Sequence, residues 1–242
     1  MSEHHLTHVS KQLKKRAVLV QRGGIRAAVL GVNDGLVSTV CLVVGIAATG
    51  ASGSTVLVAG LAGLLAGAIS MAAGEWISVK AQVELFEGVL SDLRDSMKSE
   101  KEHLVHSLAH TLASGGMEIH TAHQASKDIA RNDDDFIAIY TAQVIGMNKD
   151  ELGSPWRAAS SSFVLFALGA LVPLASWFMV DGSTAIAASI VATSLAGLLV
   201  GGFIARSSGK SIVYGAVRQL LIIIGSSLVT YAIGYAFGVS IG

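Results

Sequence analysis

Apolar residues are distributed along this chain in five long runs that are separated by short or strongly polar segments. The runs lie at about residues 30–50, 55–79, 160–180, 184–205 and 212–238. Each has the roughly 20 residues that an α-helix needs to cross the hydrocarbon of a bilayer. Short connectors at 51–54 and 181–183 predict two helical hairpins. The pattern therefore predicts an all-α integral membrane protein with five transmembrane helices in a lipid bilayer.

The stretch at 80–157 is a long polar segment between two apolar runs. Because it is polar, we expect it to lie in water, as a helical insert between the second and third spans. The chain then divides into four parts. They are a tail at 1–29, the first helical hairpin at 30–79, the insert at 80–157 and three further spans at 158–242.

Composition supports lipid as the surroundings of the apolar runs. Hydrophobic residues make up 52% of the 242 positions and charged residues only 14%, whereas soluble domains have about 25% charged residues. The net charge is zero, and Cys41 is the single cysteine. A basic field and a zinc-finger spacing are both missing from the sequence, so we expect no nucleic-acid partner.

The basic residues predict the orientation of the spans. With the amino terminus inside, all 17 Lys and Arg residues lie on or near one side of the membrane. The positive-inside rule therefore predicts a cytoplasmic amino terminus and a cytoplasmic insert. The tail lacks the short apolar core and cleavage site of a secretory signal, so we expect the first span to be an uncleaved anchor.

One carboxylate lies inside the first apolar run, where Asn33 and Asp34 occupy the first turns of the span. A central Asp costs roughly 2.5–3.5 kcal/mol to insert, so such residues normally face a bundle interior, a cavity or an ion path. We therefore predict an ion path at Asp34 and Asn33. The alternative is that Asp34 caps a helix break beside Gly35.

The second apolar run ends with Ser70, Met71 and Glu75 on one side of the predicted helix. Met71 and Glu75 are four residues apart and are therefore neighbours on the helix surface. A thioether beside a carboxylate combines soft and hard ligands, which suits Fe(II) better than Mg²⁺ or Ca²⁺. These residues either extend the ion path of Asp34, or Met71 is a packing residue, as we expect Cys41 to be.

Three motifs resemble those of the vacuolar iron transporter family. They are RAAVLGVNDGLVS at 26–38, AGAISMAAGEWISVK at 66–80 and DELGSPWRA at 150–158. The resemblance implies a five-helix homodimer that moves Fe(II), and in some members Mn(II), out of the cytoplasm in exchange for protons. It also implies that Asp34 and Met71 line the ion path, with Glu75 as the following glutamate of the same motif.

The resemblance further implies that glutamates of the insert gather metal, and Glu84 and Glu87 match the first pair. Asp95 and Lys98 stand where further glutamates are expected, and Gln143 stands at a position that is normally acidic. A straight helix from 80 to about 112 would bring several acids and imidazoles into one 100° sector. We therefore predict a metal site, with Zn(II) as a further bound ion, formed by Glu84, Glu87, Asp95, Glu102, His103, His106 and His110. The alternative is the solvated face of an amphipathic helix.

The rest of the insert is predicted to contain a loop at 113–133 and a short helix at 134–147. The aspartates at 133–135 are expected to cap that helix and to interact with its dipole. The histidines of the tail belong to a segment without a predicted element, and they are His4, His5 and His8.

Three functions are compatible with these residues, and metal-ion transport is favoured over the other two. One alternative is a membrane metal sensor that binds without transport. The other is a ferroxidase-like enzyme, but only one Glu-x-x-His motif, at 100–103, is present, where ferritin-like sites use a pair. We expect no enzyme activity and no prosthetic group. The expected location is the plasma (inner) membrane of a bacterium or a vacuolar-type membrane of a eukaryote.

Overall fold

The computed structural model of the chain describes the backbone of residues 24–148 and 152–241, and side chains within 28–148 and 152–238. These residues form helices and turns without strands, which confirms the predicted all-α class. The α-helices are α1 (Gly24–Ala48), α2 (Gly53–Ser114), α3 (Ile119–Ile129), α4 (Asp133–Tyr140), α5 (Pro155–Ala175), α6 (Gly182–Ser207) and α7 (Ile212–Ile241). A π-helical turn at Thr141–Ile145 follows α4, and a 3-10 turn at Ser176–Phe178 follows α5.

Five of these helices, α1, α2, α5, α6 and α7, are long and apolar enough to cross a membrane. The five predicted spans are therefore confirmed, and the chain is a multi-pass integral membrane protein. Helix α2 has 62 residues, more than twice the length of a span, because helical structure continues from the second apolar run into the polar segment.

The chain divides into two compact units, and the division falls inside α2. We call Gly23–Trp76 together with Pro155–Gly242 the membrane unit. We call the other unit, whose described residues lie within Ile77–Ser154, the polar unit. His4, His5 and His8 lie outside the described residues.

Helix α1 packs against α5, α6 and α7 in the membrane unit. Buried aliphatic residues such as Val40, Val43 and Leu174 form its core. Small residues allow the close helix contacts that are typical of membrane bundles. Side chains of the same chain fill the space beside three glycines of α2, namely Gly60, Gly63 and Gly67, whereas Gly74 has nothing within 4 Å.

The polar unit has its own apolar core, which the second half of α2 forms together with α3 and α4. Its buried residues are Leu93, Met97, Leu108, Ala130, Phe136, Ile137 and Tyr140. Phe86 is also buried, and Leu104 packs against the core. The second half of α2 is therefore amphipathic, with its apolar side buried in this core.

The prediction of a loop at 113–133 is wrong, because Ile119–Ile129 forms α3. The Glu118 side chain caps this helix by accepting hydrogen bonds from the backbone N–H groups of His120, at 3.0 Å, and Thr121, at 2.8 Å. A glutamate is not among the preferred N-cap residues, so the sequence carries little signal for the start of α3.

The short helix predicted at 134–147 is confirmed as α4 and the π-helical turn. Its N-cap is Asn132, whose side-chain oxygen accepts from the backbone of Asp134 and Asp135. The aspartates at 133–135 occupy the first turn instead of the cap position. They keep the predicted interaction with the positive end of the helix dipole.

Candidate ion path and metal-binding residues

Asp34 lies on the exposed face of α1. Helix α1 runs without interruption from Gly24 to Ala48, so the alternative of a helix break beside Gly35 is excluded. Residues at intervals of four are exposed in this part of α1, and they are Leu30, Asp34 and Ser38. The Ser38 hydroxyl donates to the backbone carbonyl of Asp34, which leaves the carboxylate available for other partners.

Gly35 lies on a different face of α1, where the helix touches α5. A Cβ at this position would stand 2.9 Å from the backbone nitrogen of Ala170 and 3.0 Å from the carbonyl carbon of Phe166. Gly169 of α5 faces α1 in the same way, since its Cβ would lie 3.1 Å from the nitrogen of Leu36. The glycine next to Asp34 therefore allows the backbones of α1 and α5 to approach each other.

Asn33 is half-buried and accepts a hydrogen bond from Gln219 of α7, whose side-chain nitrogen donates to the Asn33 amide oxygen. Gln219 is only 5% exposed. Sequence reasoning missed this residue. A glutamine inside the apolar run at 212–238 was an available signal, because a polar side chain at membrane depth requires a partner.

The three predicted path residues of α2 differ in burial. Ser70 is exposed, whereas Met71 and Glu75 are half-buried. Met71 packs against the core of the membrane unit, and so does Cys41, as predicted. The next residue, Trp76, meets Trp156 of α5 edge to face, with ring centres 5.8 Å apart.

The predicted metal residues of the polar unit all have exposed side chains: Glu84, Glu87, Asp95, Glu102, His103, His106 and His110. Lys80 forms an ion pair with Glu84 at 3.2 Å, and Lys98 pairs with Asp95 at 2.7 Å. The hydrogen bond and the positive charge of Lys98 lower the pKa of Asp95. Two of the expected acidic ligands thus already have a cationic partner.

Helix α2 changes course at Glu100, whose backbone torsions (φ −133°, ψ 29°) are not helical. The prediction of one 100° sector assumed a straight helix through this position. Asp95 precedes Glu100 and His103 follows it. Their relative directions therefore do not follow from 100° per residue along one continuous helix.

Two imidazoles of the polar unit meet across helices. The rings of His106 in α2 and His123 in α3 have centres 5.0 Å apart and are inclined by 61°. Within the described ranges, His, Cys, Asp and Glu side chains do not gather in groups of three or more that could hold a metal. The wider predicted site remains a prediction, and this pair is the contact that the structure adds to it.

Comparison with known proteins identifies the group to which this architecture belongs. The model of the VIT family matches residues 25–235. The chain belongs to the VIT family. Vacuolar iron transporter homolog 1 of Arabidopsis thaliana is 33% identical over 199 residues, covering 82% of this chain and 74% of that protein. The Vacuolar iron transporter of Acanthamoeba castellanii is 28% identical over 236 residues, covering 95% of this chain and 80% of that protein.

Another VIT family relative, Vacuolar iron transporter homolog 4 of Arabidopsis thaliana, is 34% identical over 199 residues, with 82% of this chain and 75% of that protein covered. The names of these relatives are those of transporters and not of enzymes, in agreement with the sequence-based prediction. The matched residues span all five membrane helices, and they include Asp34, Met71 and Glu75.

Proposed function

We propose that this protein transports Fe(II), and also Mn(II), out of the cytoplasm in exchange for protons. The observation that carries the proposal is the exposed Asp34 on an unbroken membrane helix. Several VIT family relatives are named vacuolar iron transporters or homologs of one, and these names support iron as the cargo.

The chemistry of the proposed path follows from its side chains. A carboxylate at membrane depth needs a compensating partner, and a divalent cation or a proton can each supply one. Asp34 can therefore hold either the ion or a proton, which is the property that exchange requires. Met71 and Glu75 add soft and hard ligands that favour a borderline ion such as Fe(II) over Mg²⁺.

A homodimer would cover the exposed face that carries Asp34. In one copy of the chain, the carboxylate and the neighbouring Leu30 lie at the surface. The outward face of the second span is also apolar and exposed, with Val58 at 67% and Ile69 at 59%. We propose that these faces meet a second copy across a path that admits water and ions.

The orientation follows from charge. We propose that the amino terminus and the polar unit are cytoplasmic, since basic residues then lie inside. Single cysteines at Gly115 and Ser183 test this orientation in a Cys41→Ala background, with an impermeant thiol reagent. The reagent should label the two positions from opposite sides. Labelling of both from one side would contradict the five-span orientation.

We also propose that the polar unit binds metal through His106 and His123. Two imidazoles on one tetrahedral ion, at metal–nitrogen distances of about 2.0–2.1 Å, have ring centres about 5 Å apart. The observed separation of 5.0 Å matches this arrangement. An imidazole must lose its proton to coordinate, so binding should weaken between pH 7.5 and 5.5.

Calorimetric titration of the full chain in detergent with Zn(II), Mn(II) and anaerobic Fe(II) measures this binding. His123→Ala should weaken it about tenfold or more, because it removes one of two ligands. His120→Ala is the matched control, since His120 lies in the same helix with an exposed ring. Equal affinity of wild-type protein and His123→Ala would exclude the His106–His123 site.

Transport itself is tested by flux into vesicles that contain the purified protein. Uptake of Fe(II), Mn(II) and Zn(II) is measured, and a proton-sensitive dye on the opposite side of the membrane reports proton movement at the same time. The proposal predicts Fe(II) and Mn(II) flux with opposite proton movement. Metal binding without any flux would instead identify a membrane metal sensor.

Met71→Ala should slow Fe(II) flux more than Met71→Cys, which retains a sulfur ligand. Equal losses in the two variants would assign Met71 to packing.

A further inference from the structure

Gln219 and Asn33 form a polar contact between α7 and α1, which are separated by 186 positions in the sequence. Gln219 is 5% exposed, and Asn33 is half-buried. Both residues lie in the membrane unit. Both side chains are neutral amides, so the contact is an uncharged hydrogen bond between the two helices.

The contact gives the buried amide of Gln219 a partner away from water. Hydrogen bonds between membrane helices contribute little on average. Leaving one buried amide unsatisfied costs more than such a bond contributes. Removing either side chain therefore destabilises the protein mainly because the amide that remains has no partner.

The positions of the two neighbours of Asp34 determine where its carboxylate lies. Consecutive residues of an α-helix are turned by about 100° from one another. Asn33 faces Gln219 of α7, and Gly35 faces Phe166 and Ala170 of α5. Asp34 lies between these two directions, in the middle of the arc that α5 and α7 leave open, and it is exposed there.

We infer that Gln219 is a positioning residue for the ion path, because its bond to Asn33 fixes the rotation of α1 and thereby the direction of the Asp34 carboxylate. This inference rests on the proposed transport function. It also changes the role of Asn33, which acts through Asp34 and not as a ligand of the ion. The Gly35–α5 contact holds the other side of the same turn.

A labelling experiment tests the rotation of α1 independently of transport. Asp34→Cys is made in a Cys41→Ala background and labelled in vesicles with a hydrophilic maleimide. Gln219→Met, which keeps the length of the side chain, should change the labelling rate of position 34 severalfold. Ser227→Ala is the matched control, because Ser227 is a buried residue of α7 whose hydroxyl has no hydrogen-bond partner in the described structure. It should leave the rate unchanged.

The flux assay supplies the functional measurement in protein that retains Asp34. Gln219→Met should raise the KM for Fe(II) about 3–10-fold, and Ser227→Ala should not. Exchanging the two residues restores the combined length of the two side chains. Gln219→Asn alone shortens the contact by one methylene and should raise KM, whereas Gln219→Asn combined with Asn33→Gln should return KM towards the wild-type value.

The outcomes separate the inference from the proposed function. Wild-type labelling and KM in both Gln219→Met and Gln219→Asn would overturn the positioning role. A wild-type protein without Fe(II) flux would overturn the transport proposal, while the labelling rates would still decide the role of Gln219. If Gln219→Met does not assemble, Gln219→Asn and the exchanged pair keep a polar group at each position and decide the question.

Discussion

The two units of this chain are held together in different ways. In the membrane unit, helices approach until glycine backbones touch, as Gly35 does against Phe166 and Ala170, and as Gly201 does against Gly215. In the polar unit, the core consists of large side chains such as Phe136 and Leu108, both fully buried. The membrane unit adds these glycine contacts to its own apolar core, whereas the described glycines of the polar unit make no such close contact with another helix.

The difference follows from the reference state of each unit. Lipid tails are as apolar as leucine, so burying leucine between membrane helices brings little gain, and close van der Waals contact and hydrogen bonds drive association. In water, burying large apolar side chains is strongly favourable and stabilises a core of large residues. The division inside α2 coincides with the boundary between the apolar run and the polar segment, as the proposed location of the polar unit in water requires.

The largest expected effect comes from truncating the core of the polar unit. Phe136→Ala should destabilise this unit by about 3–5 kcal/mol, through lost burial and the cavity that remains. Limited proteolysis of the full chain in detergent should then cut within 77–154 and leave the membrane helices intact. Leu85→Ala, at a side chain that is 69% exposed, should change little. Cleavage that spreads equally into the membrane helices would refute separate cores.

A smaller effect is expected from a single methyl group in the membrane unit. Gly35→Ala places a Cβ against backbone atoms of α5 that cannot rotate away, so we expect a loss of about 1–3 kcal/mol from overpacking. Gly74→Ala is the control, because nothing lies within 4 Å of the position that its methyl group would take. Thermal unfolding in detergent should show a lower Tm for Gly35→Ala alone. Equal Tm values for the two variants would refute the close α1–α5 contact.

The smallest effect concerns the cap of α3 in the polar unit. Backbone N–H groups of His120 and Thr121, together with the Thr121 hydroxyl, lower the pKa of Glu118. The folded state thus favours the carboxylate, so its contribution to stability is present above the unfolded pKa of about 4.3 and is lost as pH falls through the lowered folded pKa.

Glu118→Gln should accordingly lower the Tm of the polar unit at pH 7, and the difference from wild type should shrink as pH falls below about 4.3. This difference is measured by thermal unfolding of the full chain, with proteolysis within 77–154 as the readout. A constant difference across this pH range would show that the carboxylate charge does not stabilise the helix.

Much of the membrane unit could be predicted from the sequence, because each span is a local property of about 20 residues. Asp34 could be singled out for the same reason, since a carboxylate in such a run is costly wherever it points. The Gln219–Asn33 contact could not, because it depends on which helices are neighbours in space. The polar unit was harder to predict, since α3 begins at an unusual cap and the irregular backbone at Glu100 has no clear sequence signal.

The role of Asp34 is tested most directly by Fe(II) flux in vesicles that contain Asp34→Ala. The account predicts that flux is abolished while expression and assembly in the membrane stay at wild-type levels, because the exposed carboxylate of α1 is removed without disturbing its packed faces. Asp181→Ala, which removes an exposed carboxylate between α5 and α6, should retain wild-type flux. Wild-type Fe(II) flux through Asp34→Ala would contradict the account.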